Sequence, residues 1–343
     1  MKFRYLIFLY IYLSLISCGT SNIFVDIQRP ADITVPQHIE SVIIANRSVA
    51  GKGNKIGNIV EGLLTGESIG SDRKGSQFCV QGLSNMLTNS KRYVLKGNEL
   101  VLAGGTGTSQ FPNLLTWEFV DEICSNYGSD ALIVLSTFDS DSRIIEGKEV
   151  VKTKKVNGAK IKEVQFPVTL IMEIQSGWRI YDNINKEIID VSTFTEIKEY
   201  KEWGGSYEDA KSKLPSNRDA LLNSGIFAGE KYGFRITPVW LRESRIYYSG
   251  KIDEFKLAKN YVNRGEWNQA IELWKDLTEH PDIKISRKAF FNLSLASEMN
   301  GSLETAIDYA RKAEQMGDKR ASSYIIKLKR RQIDEEKLKL QVK

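Results

Sequence analysis

The feature that most limits the fold is a self-repeat near the end of the chain. Residues 251–282 (KIDEFKLAKNYVNRGEWNQAIELWKDLTEHPD) and 286–318 (SRKAFFNLSLASEMNGSLETAIDYARKAEQMGD) each read as helix, glycine, helix. Gly265 aligns with Gly301, Ala270 with Ala306, Trp274 with Ala310 and Leu277 with Ala313, an offset of 36 positions. One such pair cannot bury its apolar stripe alone, so the pairs must stack. A glycine turns each pair, and alanine lets the second helix close on the first. Ala321 to Val342 continues as a charged helix placed to cap the stack. Its lysines and arginines, with Asp334, Glu335 and Glu336 interspersed, read as a solvated face in preference to a patch for an anionic surface.

Upstream the texture is different. Glu40 to Arg47 and Ala131 to Phe138 are short, apolar, β-branched runs closed by polar residues, the signature of buried strands. Between them, Gly75 to Ser90 places Cys79, Leu83, Met86 and Leu87 on one helical stripe. Arg92 to Leu95 reads as a strand, and residues 51–75 and 103–110 as glycine-rich loops. Thr116 is positioned to cap a helix whose inner face is Trp117, Val120, Ile123 and Cys124, with Gly128 ending it. Val150 to Ile174 then carries Asn157-Gly158 between β-prone arms, a hairpin signal, and Trp178–Asp182 with Ile188–Tyr200 forms a second hairpin. Helices are expected over 206–214 and 217–232, and Thr237 to Tyr248 as an extended segment. The fold class that follows is α+β or α/β: a mixed-sheet layered domain over 38–250, then a small helical repeat domain over 251–343.

The amino terminus sets the compartment. Lys2 and Arg4 precede an apolar run from Tyr5 to Ile16, too short for a span that needs about 20 residues. Leu15-Ile16-Ser17-Cys18 resembles the lipobox of bacterial lipoproteins. The resemblance implies that 1–17 is a cleaved signal peptide, that Cys18 carries the acyl chains, and that 18–37 is a lipidated tether. Pro30 and Pro36 oppose helix there. Gly19, where an inner-membrane lipoprotein would carry aspartate, points to the outer membrane of a Gram-negative cell. Removing 17 of 343 residues takes Lys2 and Arg4 with it and lowers the net charge from +5 to +3, which argues against nucleic acid as a partner.

Three further resemblances cover the rest. Residues 38–250 resemble the TolB amino-terminal-like or curli-secretion-lipoprotein-like α/β domain through the strands 41–46 and 131–138 followed by hairpins. The lipobox, Arg29-Pro30-Ala31, Asp130-Ala-Leu-Ile, Phe138-Asp139-Ser-Asp141 and the 240–248 segment together resemble an uncharacterised envelope lipoprotein family. The repeats are similar to tetratricopeptide repeats, whose period is about 34. Leu257, Ala258 and Tyr261 match small and aromatic positions of that family's first helix, while Ser297 and the missing proline after Met316 depart from it. The resemblance implies that first helices line a concave face, which nominates Lys259, Asn263, Lys288, Phe291 and Glu298 for partner binding. The alternative is that this face docks on the protein's own α/β domain.

No constellation for catalysis emerges, and no cofactor or metal site is expected. Ala103 to Ser109 has the glycines of a phosphate loop, but Phe111-Pro112 follows in place of a helix and lysine. Asp130, Asp139 and Asp141 lie about a strand end without the ligands calcium requires. His38 and His280 stand near no nucleophile elbow. Cys79 and Cys124 each sit on an apolar helical face and are expected as buried free thiols, although an oxidising compartment permits a bridge. The expectation is a non-catalytic outer-membrane lipoprotein acting as a scaffold through protein–protein contacts. The alternative is an enzyme acting on a cell-wall or surface polymer through paired carboxylates.

Overall fold

The computed structural model describes residues 19–49, 71–97, 99–156 and 159–342. The segment expected as a signal peptide, Cys18, Gly51 to Lys55 and the Asn157-Gly158 pair lie outside the described residues. The chain divides into two compact units: residues 31–239 with 340–343, and residues up to Pro30 with 240–339.

The α/β unit is a mixed sheet. Its strands are β2 (Ser41–Asn46), β3 (Val94–Leu95), β4 (Leu100–Val101), β5 (Ala131–Glu146), β6 (Val150–Val156), β7 (Ala159–Asp182) and β8 (Glu187–Gly204). β2 pairs in parallel with β3, β4 and β5, and β7 pairs antiparallel with β5, β6 and β8. The two expected hairpins close at Val156–Ala159 and Asp182–Glu187. β5 runs past the expected end at Phe138, so Asp139 and Asp141 sit mid-strand opposite Gln175 and Glu173. They are not a strand-end cluster. Among the described residues no group of acids, histidines or cysteines is arranged to hold a metal.

Every residue of β2 is buried because helices cover both sheet faces. Val42 and Ile44 face α1 (Ser71–Ser90) and α4 (Asn217–Ile236), joined by Trp178 stacked 4.6 Å from Tyr232. Ile43 and Ala45 face α2 (Trp117–Tyr127), capped as the sequence indicates by Thr116 and by Gly128 at φ 63°. A short helix, α3 (Tyr207–Ser212), precedes α4. Cys79 belongs to the first face and Cys124 to the second, so the sheet itself separates them. Both are free, and burial pushes both thiols up in pKa.

The helical unit holds α5 (Asp253–Asn263), α6 (Trp267–Leu277), α7 (Ile283–Met299), α8 (Leu303–Gln315) and α9 (Ala321–Gln341). Gly265 and Gly301 turn the two pairs at φ 78° and 77°, and Ala270, Trp274, Ala306, Ala310 and Ala313 fill the core between helices. Two boundaries differ from expectation. Thr20–Arg29, expected within a tether, is strand β1, and Val239–Tyr248, expected to close the α/β domain, is strand β9, which pairs with it. The reason is packing: Ile23, Val25 and Ile27 recur with period two, and with Tyr247 and Tyr248 they pack into the helical core. No described helix is long and apolar enough to cross a membrane.

Candidate functional site

The five nominated residues do not converge. Lys259 is half-buried and Asn263 exposed on α5. Phe291 is buried, 5.5 Å from the ring of Tyr248 and 5.3 Å from that of Tyr324. Glu298 is buried too: it accepts hydrogen bonds from Arg245, Arg331 and the Tyr324 hydroxyl. Both are therefore interior groups and not partner contacts, because the inner face of α7 is covered by β9 and α9 of the same unit. Of the five, Lys288 alone lines the larger of two clefts in this unit.

That cleft has a volume of about 420 Å³ and is lined by Lys251, Lys284, Arg287, Lys288, Lys319 and Arg320, together with Gly19, Thr20, Tyr248, Gly317 and Asp318. Three local features assemble it. Lys284, Arg287 and Lys288 are spaced i, i+3, i+4 on the first turns of α7, so they share one face. Asp282 caps that helix by accepting from the Lys284 amide at 2.8 Å. Gly317, at φ 84°, bends the chain between α8 and α9 and presents Lys319 and Arg320. Lys251, also at positive φ (82°), comes from the turn after β9.

Among the described residues none of the six cations forms an ion pair. Arg287 donates Nη1 to the Gly317 carbonyl at 3.1 Å, and its Nε is buried without a partner. Arg320 and Lys288 lie over the Tyr248 ring, 5.2 and 5.4 Å from its centroid. The lining carboxylate, Asp318, is buried and occupied: it accepts from the Tyr248 hydroxyl at 2.8 Å and from the Arg320 amide at 2.9 Å. Burial and that hydrogen bond push the Tyr248 phenol up to about 12, so it stays a neutral donor at physiological pH. Lys288 moves the other way. Burial, then the positive charges of Lys251 and Arg287, lower its pKa more than Asp282 and Asp318 raise it. The site is short of negative charge, and an anion entering it relieves that repulsion. A smaller hollow of about 210 Å³ shares Arg320 and is bordered by Phe291, Tyr324 and Lys327.

A second cationic pair sits in the α/β unit. Arg47, just past β2, donates to the carbonyls of Ala103 at 3.3 Å and Asn113 at 2.6 Å. Arg179 donates to Pro112 at 2.8 Å and lies 4.5 Å from the Phe111 ring centroid. The glycine-rich 103–110 segment is thus held by guanidinium groups from below, and Gly105 leaves no room for a Cβ beside the Arg47 carbonyl. These bonds anchor the loop to the ends of β2 and β7. His38 also has a partner, Asp182 at 2.7 Å, whose other oxygen caps the β7–β8 turn through the Ile184 and Asn185 amides. Asp130 accepts from the amides of Ser41 and Glu40 and the Ser41 hydroxyl. Burial works to raise its pKa, and these bonds together outweigh it and lower the value.

The signal for the basic cleft is present in the sequence only in part. The i, i+3, i+4 cations of α7 are visible, but their meeting with Lys251, Lys319 and Arg320 requires the stacking of three separate segments.

Among curated proteins none matches the chain. One solved structure it resembles is a neuraminyllactose-binding hemagglutinin homolog from Helicobacter pylori, at 10% identity and a TM-score of 0.22, over 59% of this chain and 84% of that one. The family model described as a domain of unknown function (DUF6340) matches residues 256–334, within the helical unit. The model of another, a domain of unknown function (DUF8603), matches residues 39–248, more than half the chain, and this protein belongs to that family.

Proposed function

We propose that this protein is a non-catalytic lipoprotein, anchored by Cys18 in the outer membrane of a Gram-negative cell, whose helical unit binds an anionic component of the envelope. One observation carries the reading: six cations line one cleft, and none of them forms an ion pair among the described residues. Charges left unneutralised against one another are a standing cost, and an anionic ligand removes it. The lipobox-like Leu15 to Cys18 segment supports the location. The burial of Phe291 and Glu298 takes the apolar and acidic contacts away from the scaffold surface first nominated, which leaves Lys259, Asn263 and Lys288, two of them cationic.

Two measurements test this. Palmitate labelling should mark the wild-type protein and fail on Cys18→Ser, which should accumulate as precursor; equal labelling refutes the anchor. Titration of the acylated protein in neutral detergent with inorganic pyrophosphate should saturate. The affinity should fall at least tenfold in Lys284→Gln/Lys319→Gln, and also between 50 and 300 mM salt, because exposed charges are screened over about 10 Å at 0.1 M. Binding that is absent, or indifferent to both changes, refutes the cleft.

A further inference from the structure

Resting on that reading, we propose that the anion is the phosphate headgroup of an anionic phospholipid in the same leaflet that receives the acyl chains. The argument is positional. Gly19 and Thr20 are part of the cleft wall, beside Lys251. The acyl acceptor nominated by the lipobox is the residue before Gly19, and consecutive Cα atoms stand about 3.8 Å apart. Acyl chains enter the bilayer at headgroup depth, so the anchor delivers this cleft to the phosphate layer. The link is not slack: the Ser249 amide donates to the Gly19 carbonyl at 3.0 Å, and the Ser21 and Ser249 hydroxyls are 2.7 Å apart, tying the first described residues to the end of β9.

The lining suits that depth. Lysine and arginine side chains hold a headgroup phosphate while their stems lie along apolar surface. Tyr248, apolar in its ring and polar at its hydroxyl, is the kind of residue that sits at a membrane–water interface. Ile283, directly before Lys284, is 56% exposed, where the acyl region offers it burial. Acyl chains combined with a basic patch form a two-signal attachment, tighter than either part alone. Each lysine or arginine held near an anionic surface contributes about fivefold in affinity, so removing three should cost about a hundredfold.

The test uses the mature chain with Cys18→Ser, so that vesicle sedimentation reports the cleft without the acyl chains. Vesicles are phosphatidylcholine alone or phosphatidylcholine with one quarter phosphatidylglycerol, at 100 mM salt. Expected is at least tenfold tighter binding to the phosphatidylglycerol vesicles, reduced to the neutral-vesicle level in Lys284→Glu/Lys288→Glu/Lys319→Glu. A milder variant, Lys284→Gln/Lys319→Gln, guards against misfolding in the triple and should give an intermediate loss at an unchanged melting temperature. Equal binding to both vesicles overturns the inference, as does phosphatidylglycerol binding that survives both variants, which would place it on another surface. Pyrophosphate or pentaglutamate bound in the cleft without phosphatidylglycerol binding overturns the lipid assignment and leaves the broader reading standing. Binding of none of the three overturns both.

Discussion

At Glu298 one carboxylate gathers donors from two elements: Arg245 of β9, with Tyr324 and Arg331 of α9. Arg245 and Glu298 are almost wholly buried, and a second acid, Glu243, meets Arg245 at 2.6 Å. A buried ion pair gains little over apolar packing, but breaking one side leaves a buried charge alone. Glu298→Ala should therefore destabilise the helical unit by about 3–5 kcal/mol, read as a lower urea midpoint. Burial works to raise the Glu298 pKa, yet the bonds from Arg245, Tyr324 and Arg331 prevail and lower it below the ordinary 4.5. A carboxylate with a depressed folded pKa adds stability that is complete above the unfolded value and is lost as pH falls through the folded one. Acid melts of the wild type should thus steepen below about pH 4.5, and Glu298→Gln should flatten that limb while melting lower at neutral pH; a parallel pair of curves would refute the assignment. Helical spacing turns Glu298 inward on the first helix of its pair. It cannot say what lies opposite, because an inward acid looks the same in sequence whether its partner is another protein or Arg245, fifty-three positions upstream.

The pair α1 and α4 depends on glycine, not on side-chain size. Gly225, Gly229 and Gly233 recur every four residues along α4, and a Cβ on Gly229 would overlap the Cys79 carbonyl, while one on Gly233 would meet the Met86 Cβ at 2.6 Å. Gly82 on α1 answers by lying against the Ile226 carbonyl. Backbones this close cannot accept a methyl group without moving apart, and overpacking of that kind costs about 1–3 kcal/mol. Gly229→Ala should lower the urea midpoint accordingly, and Gly205→Ala, whose Cβ would find its nearest neighbour at 3.9 Å, should not; equal effects would refute the close-packing account. Apolar periodicity locates both helices, but glycine reads there as a breaker, which is why the sequence pattern stops α4 at Tyr232 while the helix continues to Ile236. β5 likewise outruns its sequence signal. Its second half is mostly polar and exposed, and it stays a strand because β7 continues to pair with it; backbone pairing leaves little trace in composition.

The two units do not follow the order of the chain. Residues 20–29 and 239–248, adjacent in one ribbon, bracket the α/β unit in sequence. The change of texture at Lys251 is legible, since helix pairs differ sharply from strands. Membership of β9 is not, because a strand that packs on helices has the same alternation as one that packs on a sheet. A chain of residues 31–239 should fold cooperatively by near-ultraviolet circular dichroism, with some stability lost along with the Gln341 side chain, which bonds Ala31 and Ile33. Residues 19–250 should instead expose Tyr247 and Val25 and aggregate; a soluble, monomeric 19–250 fragment would refute the unit boundary.

On the route of export proposed above, that bracketing sets an order of events. β1 leaves the membrane first, yet its hydrogen-bonding partner follows only after more than two hundred further residues. At a synthesis pace of about 5–20 residues per second the interval is roughly 10–40 s. The α/β unit has time to fold within it, while β1 waits as an unpaired edge of the sort that other chains can join. Acylation next to that edge would hold the waiting strand at the membrane surface, away from its neighbours, until Trp240 to Tyr248 arrive to close the ribbon.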